Sequence, residues 1–271
     1  YPQLTSANHV DLHEENTAQF SKGKGTLQEP YIIKTVSHLT NVKDYPGAYY
    51  RLDSDITFVN NSTWYAIGAD EENAFYGCFD GNGDTIGEVQ MFVHSYEANV
   101  YAGFFGYNRG IIKNLTIFTR NSKMSANSYS YFGGIVGQNK GTIINCHHSG
   151  WIQANGNLGG IAGENDGGII ADSYNTANLK SLASGSSYLG GIAAQCSGTI
   201  TTCYNIGKLE FEPPNKYAYV NGIVGYHNSL RGTVNGCYYL EDDSFRSISG
   251  TNPLSLDQMK DLTSFSGFDF D

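Results

Sequence analysis

The sequence predicts an all-β chain folded as a parallel β-helix, and three observations lead to this prediction. A Gly-rich phrase that bears asparagine, GGIVGQNKGTII from residue 133, recurs along the chain with small changes. The copies are spaced by 26 or 31 residues, which suits one coil of a β-helix, whereas a propeller blade needs roughly 40 to 50. Each copy holds short runs of Ile, Val, Tyr and Thr between Gly and Asn, and none shows a helical period.

The repeat is clearest when the copies are aligned on the second glycine of the phrase. The five anchor glycines are Gly103, Gly134, Gly160, Gly191 and Gly222. Stacked coils lie about 4.8 Å apart, so equivalent residues of successive coils should lie above one another. We expect each anchor glycine to occupy a turn that requires a positive φ, and the aliphatic residues after it to face a shared core.

A polar column follows the anchors by five residues. Three copies carry Asn108, Asn139 and Asn165 there, and the last two carry Cys196 and His227. Asparagine side chains stacked at a coil corner can hydrogen bond to one another and to the amides of the turn. We therefore expect a structural role for the asparagines, with ligand binding as the less favoured alternative.

Four segments follow one another along the chain. Residues 1–24 lack the repeat and are interpreted as a lead-in, and residues 25–271 as a single domain. Within this domain, residues 25–98 should form an irregular N-terminal cap over the open edge of the first coil, because stacked strands must protect that edge. Residues 99–240 should form the regular coils, and residues 241–271, with SLDQMKDLTSF, a short helical cap.

The composition argues against several classes of function. The 271 residues carry a formal net charge of −10 and no basic stripe, which argues against a nucleic-acid partner. No apolar run approaches 18 residues, so we expect no membrane span in this fragment. Because the chain begins at Tyr1 without a signal peptide, we interpret it as an excised monomeric domain of a larger mature chain.

The five cysteines do not form a recognisable metal or disulfide pattern. Their number is odd, their spacing is wide and no CxxC pair is present, so no metal or other cofactor is predicted. Cys146, Cys203 and Cys237 fall in one column of the repeat, which small or apolar residues fill in the other copies. This column predicts free thiols buried in the core, with a disulfide between Cys203 and Cys237 as the alternative.

The repeated phrase, G-x-[IF]-[VAF]-G-x-N-x-G-x-I, resembles the GLUG motif of bacterial cell-surface and secreted proteins and of the β-helical region of some immunoglobulin-A-type proteases. The segments GTLQEPYIIKTVSHL, YYRLDSDITF, CFDGNGDTIGEV and GFDFD resemble the same family in the same order, so the resemblance covers most of the chain from Gly25 onward. It implies a right-handed parallel β-helix in an extracellular, cell-surface or secreted protein.

The resemblance further implies a module for adhesion, for spacing or for engaging the substrate of a larger secreted protease, and it does not imply catalysis. Two copies depart from the motif. The fourth has Ala194 and Cys196 in place of Gly and Asn, and the fifth has an insertion around residues 229–231. We expect the coils at these two copies to be locally irregular.

No catalytic constellation emerges from the residues, so we predict a non-catalytic protein. HEENT, which begins at His13, lacks the second histidine of the HExxH metalloprotease motif. Carboxylates that would suit a polysaccharide lyase or hydrolase, which is the alternative, do not recur in register. The candidate acids are Asp53 with Asp55, Asp80 with Asp84, and Glu164 with Asp166. All of them are more typical of turns and loops.

A column of aromatic residues is the best candidate for a binding site. His147, Tyr174, Tyr204 and Tyr238, here named the aromatic row, each follow the column that contains the cysteines. If that column faces inward, the alternation of a β-strand directs the aromatic row outward. Exposed rings suit a glycan or a host-surface protein as partner, and the alternative is that the rings only stack on one another. His147 and His148 are adjacent in a strand, so at most one of them could reach a given metal ion.

Overall fold

The computed structural model describes residues 19–59, 62–95, 100–126, 130–183, 185–212, 218–242, 244–246 and 248–268. Four sheets run along the molecule, and the strands of each coil pair in parallel with those of the coils before and after it. The predicted parallel β-helix is therefore confirmed. Residues 1–18 of the lead-in and the last three residues of GFDFD lie outside the described residues.

The strands group by sheet as follows. The eight-stranded sheet contains Tyr31–Ile33, Tyr49–Leu52, Cys78–Asp80, Ile111–Lys113, Thr142–Ile144, Ile169–Ala171, Thr199–Thr201 and Thr233–Asn235. The eleven-stranded sheet contains Ile56–Thr57, Thr63–Trp64, Thr85–His94, Thr116–Ser125, His147–Asn155, Tyr174–Asn175, Asn178–Ser181, Tyr204–Asn205, Leu209–Phe211, Cys237–Leu240 and Thr251–Leu254. One five-stranded sheet contains Tyr101–Ala102, Tyr131–Gly133, Asn157–Gly159, Ser187–Gly190 and Ala218–Asn221. The other contains Phe105–Asn108, Val136–Asn139, Ala162–Asn165, Ala193–Cys196 and Val224–His227.

The core consists of side-chain columns that run through successive coils. In the eight-stranded sheet one inward-facing residue of each strand pairs in register with its equivalent in the next coil. From the N-terminal end this column reads Tyr31, Tyr50, Phe79, Ile112, Ile143, Ile170, Ile200 and Val234, all of which are buried. The core is therefore aromatic at its N-terminal end and aliphatic along the repeats.

An aromatic cluster and one short helix close the N-terminal end of the core. Phe20 stacks on Tyr31 with ring centroids 4.3 Å apart. The helix Val36–Asn41 begins where the hydroxyl of Thr35 accepts a hydrogen bond from the backbone N–H of His38 at 3.2 Å, and it buries Leu39. A 3₁₀ turn over Val42–Asp44 follows the helix directly. This arrangement covers the first edge of the stack with apolar side chains.

The coil architecture begins earlier than the range 99–240 inferred from the repeated phrase. Both five-stranded sheets start at or after Tyr101, but the eight-stranded sheet already includes Tyr31–Ile33. Residues 25–98 are therefore partly coil rather than wholly an irregular cap. Parallel strand pairing requires strands in which inward-facing apolar residues alternate with outward-facing residues, and it does not require a specific motif. The first coils therefore adopt the fold although they lack the repeated phrase.

The expectation that the anchor glycines need a positive φ is wrong. None of Gly103, Gly134, Gly160, Gly191 and Gly222 has a positive φ. Close packing around the anchors explains these glycines instead. A Cβ atom on Gly160 would overlap the carbonyl oxygen of Gly191 in the next coil. A Cβ atom on Gly134 or Gly222 would overlap the ring of His148 or Tyr239, so no side chain fits at these positions.

The left-handed backbone conformation lies elsewhere in each coil, directly before the column that contains the cysteines. The residues there are Asn114, Asn145, Asp172, Thr202 and Gly236, and their φ angles lie between 48° and 58°. Four of the five are Asn, Asp or Gly, the residues that tolerate this conformation best. The recurrence of Asn, Asp and Gly at this column of the alignment is therefore the feature of the sequence that indicates the turn.

The asparagine column forms a buried ladder of hydrogen bonds. The amide Nδ2 of Asn108 donates to Oδ1 of Asn139 at 2.8 Å, and Nδ2 of Asn139 donates to Oδ1 of Asn165 at 2.8 Å. The ladder continues from Nδ2 of Asn165 to the Cys196 sulfur at 3.6 Å. Each Asn also bonds to the backbone of its own turn, so the column satisfies polar groups that the bend buries.

The expected irregularity of the fourth copy is not found. Its strand Ala193–Cys196 pairs in register with Ala162–Asn165 before it and Val224–His227 after it. Cys196 takes the place of an asparagine and still accepts the ladder hydrogen bond from Asn165. The insertion of the fifth copy forms a turn before Thr233–Asn235, which resumes the register of the eight-stranded sheet.

The C-terminal segment is less helical than SLDQMKDLTSF predicts. Thr251–Leu254 adds a strand to the eleven-stranded sheet, and two 3₁₀ turns follow over Gln258–Lys260 and Leu262–Ser264. No α-helix forms in the described part of residues 241–271. Asp261 separates the two turns because it is extended, with φ −103° and ψ 111°, and its carboxylate accepts a hydrogen bond from the backbone N–H of Thr263.

Candidate functional site

The aromatic row lies in register on the eleven-stranded sheet. His147 pairs with Tyr174, Tyr174 with Tyr204, and Tyr204 with Tyr238. The residue before each of them belongs to the column with the cysteines and is buried. Because alternate residues of a strand face opposite sides, the row lies on the outer face of the sheet.

The rings of the row stack directly on one another along the axis of the β-helix. Ring centroids are 4.1 Å apart between His147 and Tyr174, and 4.7 Å apart between Tyr174 and Tyr204. The planes of each pair are within 16° and 8° of parallel. The ring faces therefore cover one another, and the row presents mainly ring edges and tyrosine hydroxyls to a ligand. This geometry matches the interpretation of mutual stacking.

The row carries no charge near neutral pH. Nε2 of His147 lies 2.8 Å from the hydroxyl oxygen of Thr176, and burial lowers the pKa of His147 from 6.5 to about 4. Burial, followed by the neighbouring Tyr174 hydroxyl, raises the pKa of Tyr204 to about 12. A ligand at the row would therefore meet neutral rings and hydroxyl groups.

Tyr238 does not extend the exposed row as the alternation predicted. Only 7% of its surface is exposed, because the C-terminal segment crosses it. Its ring contacts Phe265 and Phe268 at centroid distances of 5.1 and 5.7 Å, and its hydroxyl accepts a hydrogen bond from the backbone N–H of Ser266 at 2.9 Å. Tyr238 faces outward from the sheet but is covered, so the accessible row consists of His147, Tyr174 and Tyr204.

The cysteines that follow the left-handed turns face the core. Cys146, Cys203 and Cys237 are fully buried, and all five cysteines are free thiols in this structure. Burial raises the pKa of the Cys146 thiol to about 12. It also raises the pKa of Cys203, whose neighbour in the next coil is Cys237. These protonated thiols pack as small apolar side chains.

His148 is a core residue, because adjacent strand residues face opposite sides and His147 faces outward. His148 is fully buried, and its Nδ1 atom lies 3.0 Å from Oδ1 of Asn175. Nδ2 of Asn175 donates in turn to Oδ1 of Asn205 at 2.7 Å, so these residues form a second polar ladder. His147 and His148 face opposite sides of the strand, and no cluster of three metal-ligating side chains occurs in the described residues.

Five of the six candidate acids act as local partners in turns and ion pairs, whereas Oδ2 of the sixth, Asp84, is buried without a hydrogen-bond partner among the described residues. The contacts join Asp53 to Lys34 at 2.8 Å, Asp55 to the N–H of Thr85 at 2.7 Å, Asp80 to the N–H of Asn82 at 2.9 Å, Glu164 to Gln138 at 2.6 Å and Asp166 to Lys140 at 3.3 Å. Glu164 is half-buried, and burial raises the pKa of its carboxyl group.

Sequence reasoning missed a groove on the same outer face, beyond the bend in the strand at Gly150. The groove has a volume of about 550 Å³. Its lining residues come from three successive coils: Gln90, Phe92, Asn121, Lys123, Trp151 and Gln153. Lys123 pairs in register with Phe92 on one side and with Gln153 on the other, so one row of the groove is continuous across the coils. We refer to these six residues as the aromatic–amide groove.

No residue type recurs from coil to coil at the positions that line the groove, which explains why the repeat alignment did not reveal it. Each coil contributes two outward residues separated by one buried residue, and the identities differ from coil to coil. Extending the alignment past the column with the cysteines places Lys123 beside Phe92. It does not place Gln153 beside Lys123, because the strands shift register by one residue between Thr119 and Ser122, and only the structure shows that shift.

Comparisons with known proteins show relatives over about half of the chain. A stretch of 148 residues, 51% of this chain, is 31% identical to a protein of Evansella cellulosilytica named "Putative Gly-rich membrane protein" and covers 17% of that protein. A stretch of 154 residues, 53% of this chain, is 30% identical to Halomucin of Haloquadratum walsbyi and covers 2% of it. The matched region is therefore a small part of either relative.

The described residues contain no helix long and apolar enough to cross a membrane. No family model matches the chain, so the GLUG resemblance rests on the motif alone. One solved structure, described as "a putative immunoglobulin A1 protease from Bacteroides ovatus", superposes with a TM-score of 0.67 at 20% identity. The superposition covers 94% of this chain and 92% of that one. At this identity the likeness shows the fold alone: the chain is a parallel β-helix.

Proposed function

We propose that this chain is a non-catalytic β-helix module of a bacterial cell-surface or secreted protein, and that it binds a glycan on the outer face of its eleven-stranded sheet. Two similarities support the location. The Evansella relative is named "Putative Gly-rich membrane protein", and the structural neighbour is described as "a putative immunoglobulin A1 protease". The resemblance of the repeated phrase to the GLUG motif supports the same location.

One observation carries the binding proposal. Partly exposed aromatic side chains from several coils share one outer face, and a groove of about 550 Å³ adjoins the aromatic row. Ligand sites of this size combine aromatic side chains with a few polar groups that fix orientation. The outer face offers no unpaired strand to which a peptide could add as a further strand, because the strands within the sheet already pair on both sides.

The experiment is a screen of the purified chain on an array of glycans and host-surface proteins. Each hit is measured again with a triple variant of the outer face, Trp151→Ala with Tyr174→Ala and Tyr204→Ala. Tyr226→Ala is the matched control, since Tyr226 is 44% exposed on a different sheet. Thermal melts confirm that each variant is folded.

We expect glycan binding that the triple variant loses and the Tyr226→Ala variant keeps. A chain that binds nothing on the array would act as a passive spacer between other parts of a longer protein, and the proposal would be wrong. Binding to host proteins alone, or binding that the folded triple variant retains, would also contradict it. Release of reducing or unsaturated sugar ends from a bound polymer would contradict the non-catalytic assignment.

A further inference from the structure

The aromatic–amide groove differs from the aromatic row in how it presents its rings. In the row, His147, Tyr174 and Tyr204 cover one another's faces. In the groove, Trp151 and Phe92 stack on no other ring among the described residues, and Phe92 is 50% exposed. Of these two surfaces, only the groove holds aromatic rings that stack on no other described ring. A sugar ring stacks its apolar C–H face on such a surface, whereas ring edges allow weaker contact.

The polar lining of the groove suits hydroxyl groups. Three of its side chains, Gln90, Asn121 and Gln153, are carboxamides. A carboxamide donates and accepts hydrogen bonds at once, and a sugar hydroxyl does the same, so the two kinds of group are complementary. The three amides come from three successive coils, so a sugar that lies on an aromatic face of the groove can meet amide groups from more than one coil.

The charges around the groove favour an uncharged ligand. Among the described residues, Lys123 is the only ionisable side chain in the lining, and none of them contributes a carboxylate. The neighbouring Arg120 and Lys180 pair with Glu88 and Glu212. With a net charge of −10, the chain as a whole repels anionic polymers.

We propose that the aromatic–amide groove is the primary subsite for an uncharged polysaccharide, which stacks a sugar ring on Trp151 or Phe92 and lies across three coils. This inference rests on the proposed function and names its ligand class. Trp151 and Phe92 supply the apolar platform, and the carboxamides hold the hydroxyl groups. The aromatic row then serves mainly to support the sheet beside the groove.

The test uses soluble probes of both charge classes and calorimetry on the whole chain. The uncharged probes are cellohexaose, mannan and galactan, and the anionic probes are polygalacturonate and dextran sulfate. Four variants are compared: Trp151→Ala, Trp151→Phe, Lys123→Gln and the double variant Tyr174→Ala with Tyr204→Ala. Trp151→Phe keeps a ring in the groove and so separates loss of stacking from loss of folding.

We expect at least one uncharged probe to bind, with affinity about tenfold weaker or more in Trp151→Ala, as for a central aromatic contact. Trp151→Phe should keep most of the affinity, and the double variant of the row should change it little. Lys123→Gln and added salt should also have little effect on an uncharged probe. Binding should shift the fluorescence of Trp151, since the other tryptophan, Trp64, is buried at 4% exposure.

The outcomes separate this inference from the proposed function. If an uncharged probe binds but only the aromatic-row variant weakens it, the glycan-binding module stands and the groove assignment fails. If anionic probes bind and Lys123→Gln abolishes their binding, the ligand class is wrong. If no probe of either class binds and the array is also silent, both proposals fail.

Discussion

The buried imidazole of His148 should make the stability of the fold fall in mild acid. Nε2 of His148 lies 3.0 Å from the hydroxyl of Thr119, and Nδ1 lies 3.0 Å from Oδ1 of Asn175. A neutral ring protonated at Nδ1 satisfies both contacts, because Nδ1–H donates to the amide oxygen and Nε2 accepts from the hydroxyl. Burial disfavours the charged ring and lowers the pKa of His148 from 6.5 to about 3.

The sign and size of the effect follow from this lowered pKa. In the unfolded chain the ring takes up a proton as the pH falls below 6.5, but in the folded chain it stays neutral until about pH 3. Protons therefore favour the unfolded state over this window, and the stability present above pH 6.5 is lost on acidification. One pKa unit corresponds to about 1.4 kcal/mol, so the full window amounts to about 4 to 5 kcal/mol and the fall from pH 6.5 to 4.5 to about 2 to 3 kcal/mol.

The variant His148→Asn removes the titrating group and extends the ladder that Asn175 and Asn205 already form. Urea unfolding of both proteins from pH 4.5 to 7.5 measures the free energy of unfolding. We expect the wild-type protein to lose about 2 to 3 kcal/mol more than His148→Asn over this range. His147→Gln should also flatten the curve above pH 4.5, because burial lowers the pKa of His147 to about 4, so it is measured alongside and combined with His148→Asn to separate the two contributions. Equal slopes in the wild-type protein and His148→Asn, or an NMR titration of His148 near pH 6.5, would refute the reasoning.

Two further predictions concern the other polar side chains of the stack. Asn139→Ala breaks two rungs of the buried ladder and should lower the free energy of unfolding by about 3 to 5 kcal/mol in urea, because partners stay buried and unbonded. The matched variant Asn145→Gly should change the free energy of unfolding by less than about 1 kcal/mol, because the variant loses an exposed hydrogen bond but relieves a φ of 51°. Equal decreases in the free energy of unfolding for Asn139→Ala and Asn145→Gly would contradict this prediction. Because burial raises the pKa of Glu164, its ionised form opposes folding above the unfolded pKa, so Glu164→Gln should raise the melting temperature at pH 7 and not at pH 4. A lower melting temperature at pH 7 would contradict the second prediction.

The repeated phrase by itself determined the architecture and much of its interior. In-register parallel pairing places each residue above its equivalent in the next coil, so a column of letters in the alignment becomes a column of side chains in space. The asparagine ladder and the buried cysteine column follow from that rule, because both need only the repeat length and the alternation of a strand. The rule also placed the aromatic row on the correct side of the sheet.

Only the tertiary structure decided what lies on top of these columns and between the coils. Tyr238 is covered by the segment around Phe265, which belongs to no repeat and packs there through contacts that no alignment of the coils contains. The anchor glycines are required by the atoms packed against them and not by their own φ, and those atoms belong to the next coil or to an inward-facing ring far away in the sequence. The groove between Phe92 and Trp151 joins unlike residues from three coils. Local sequence fixes which face a side chain takes, whereas its exposure depends on segments far away in the chain.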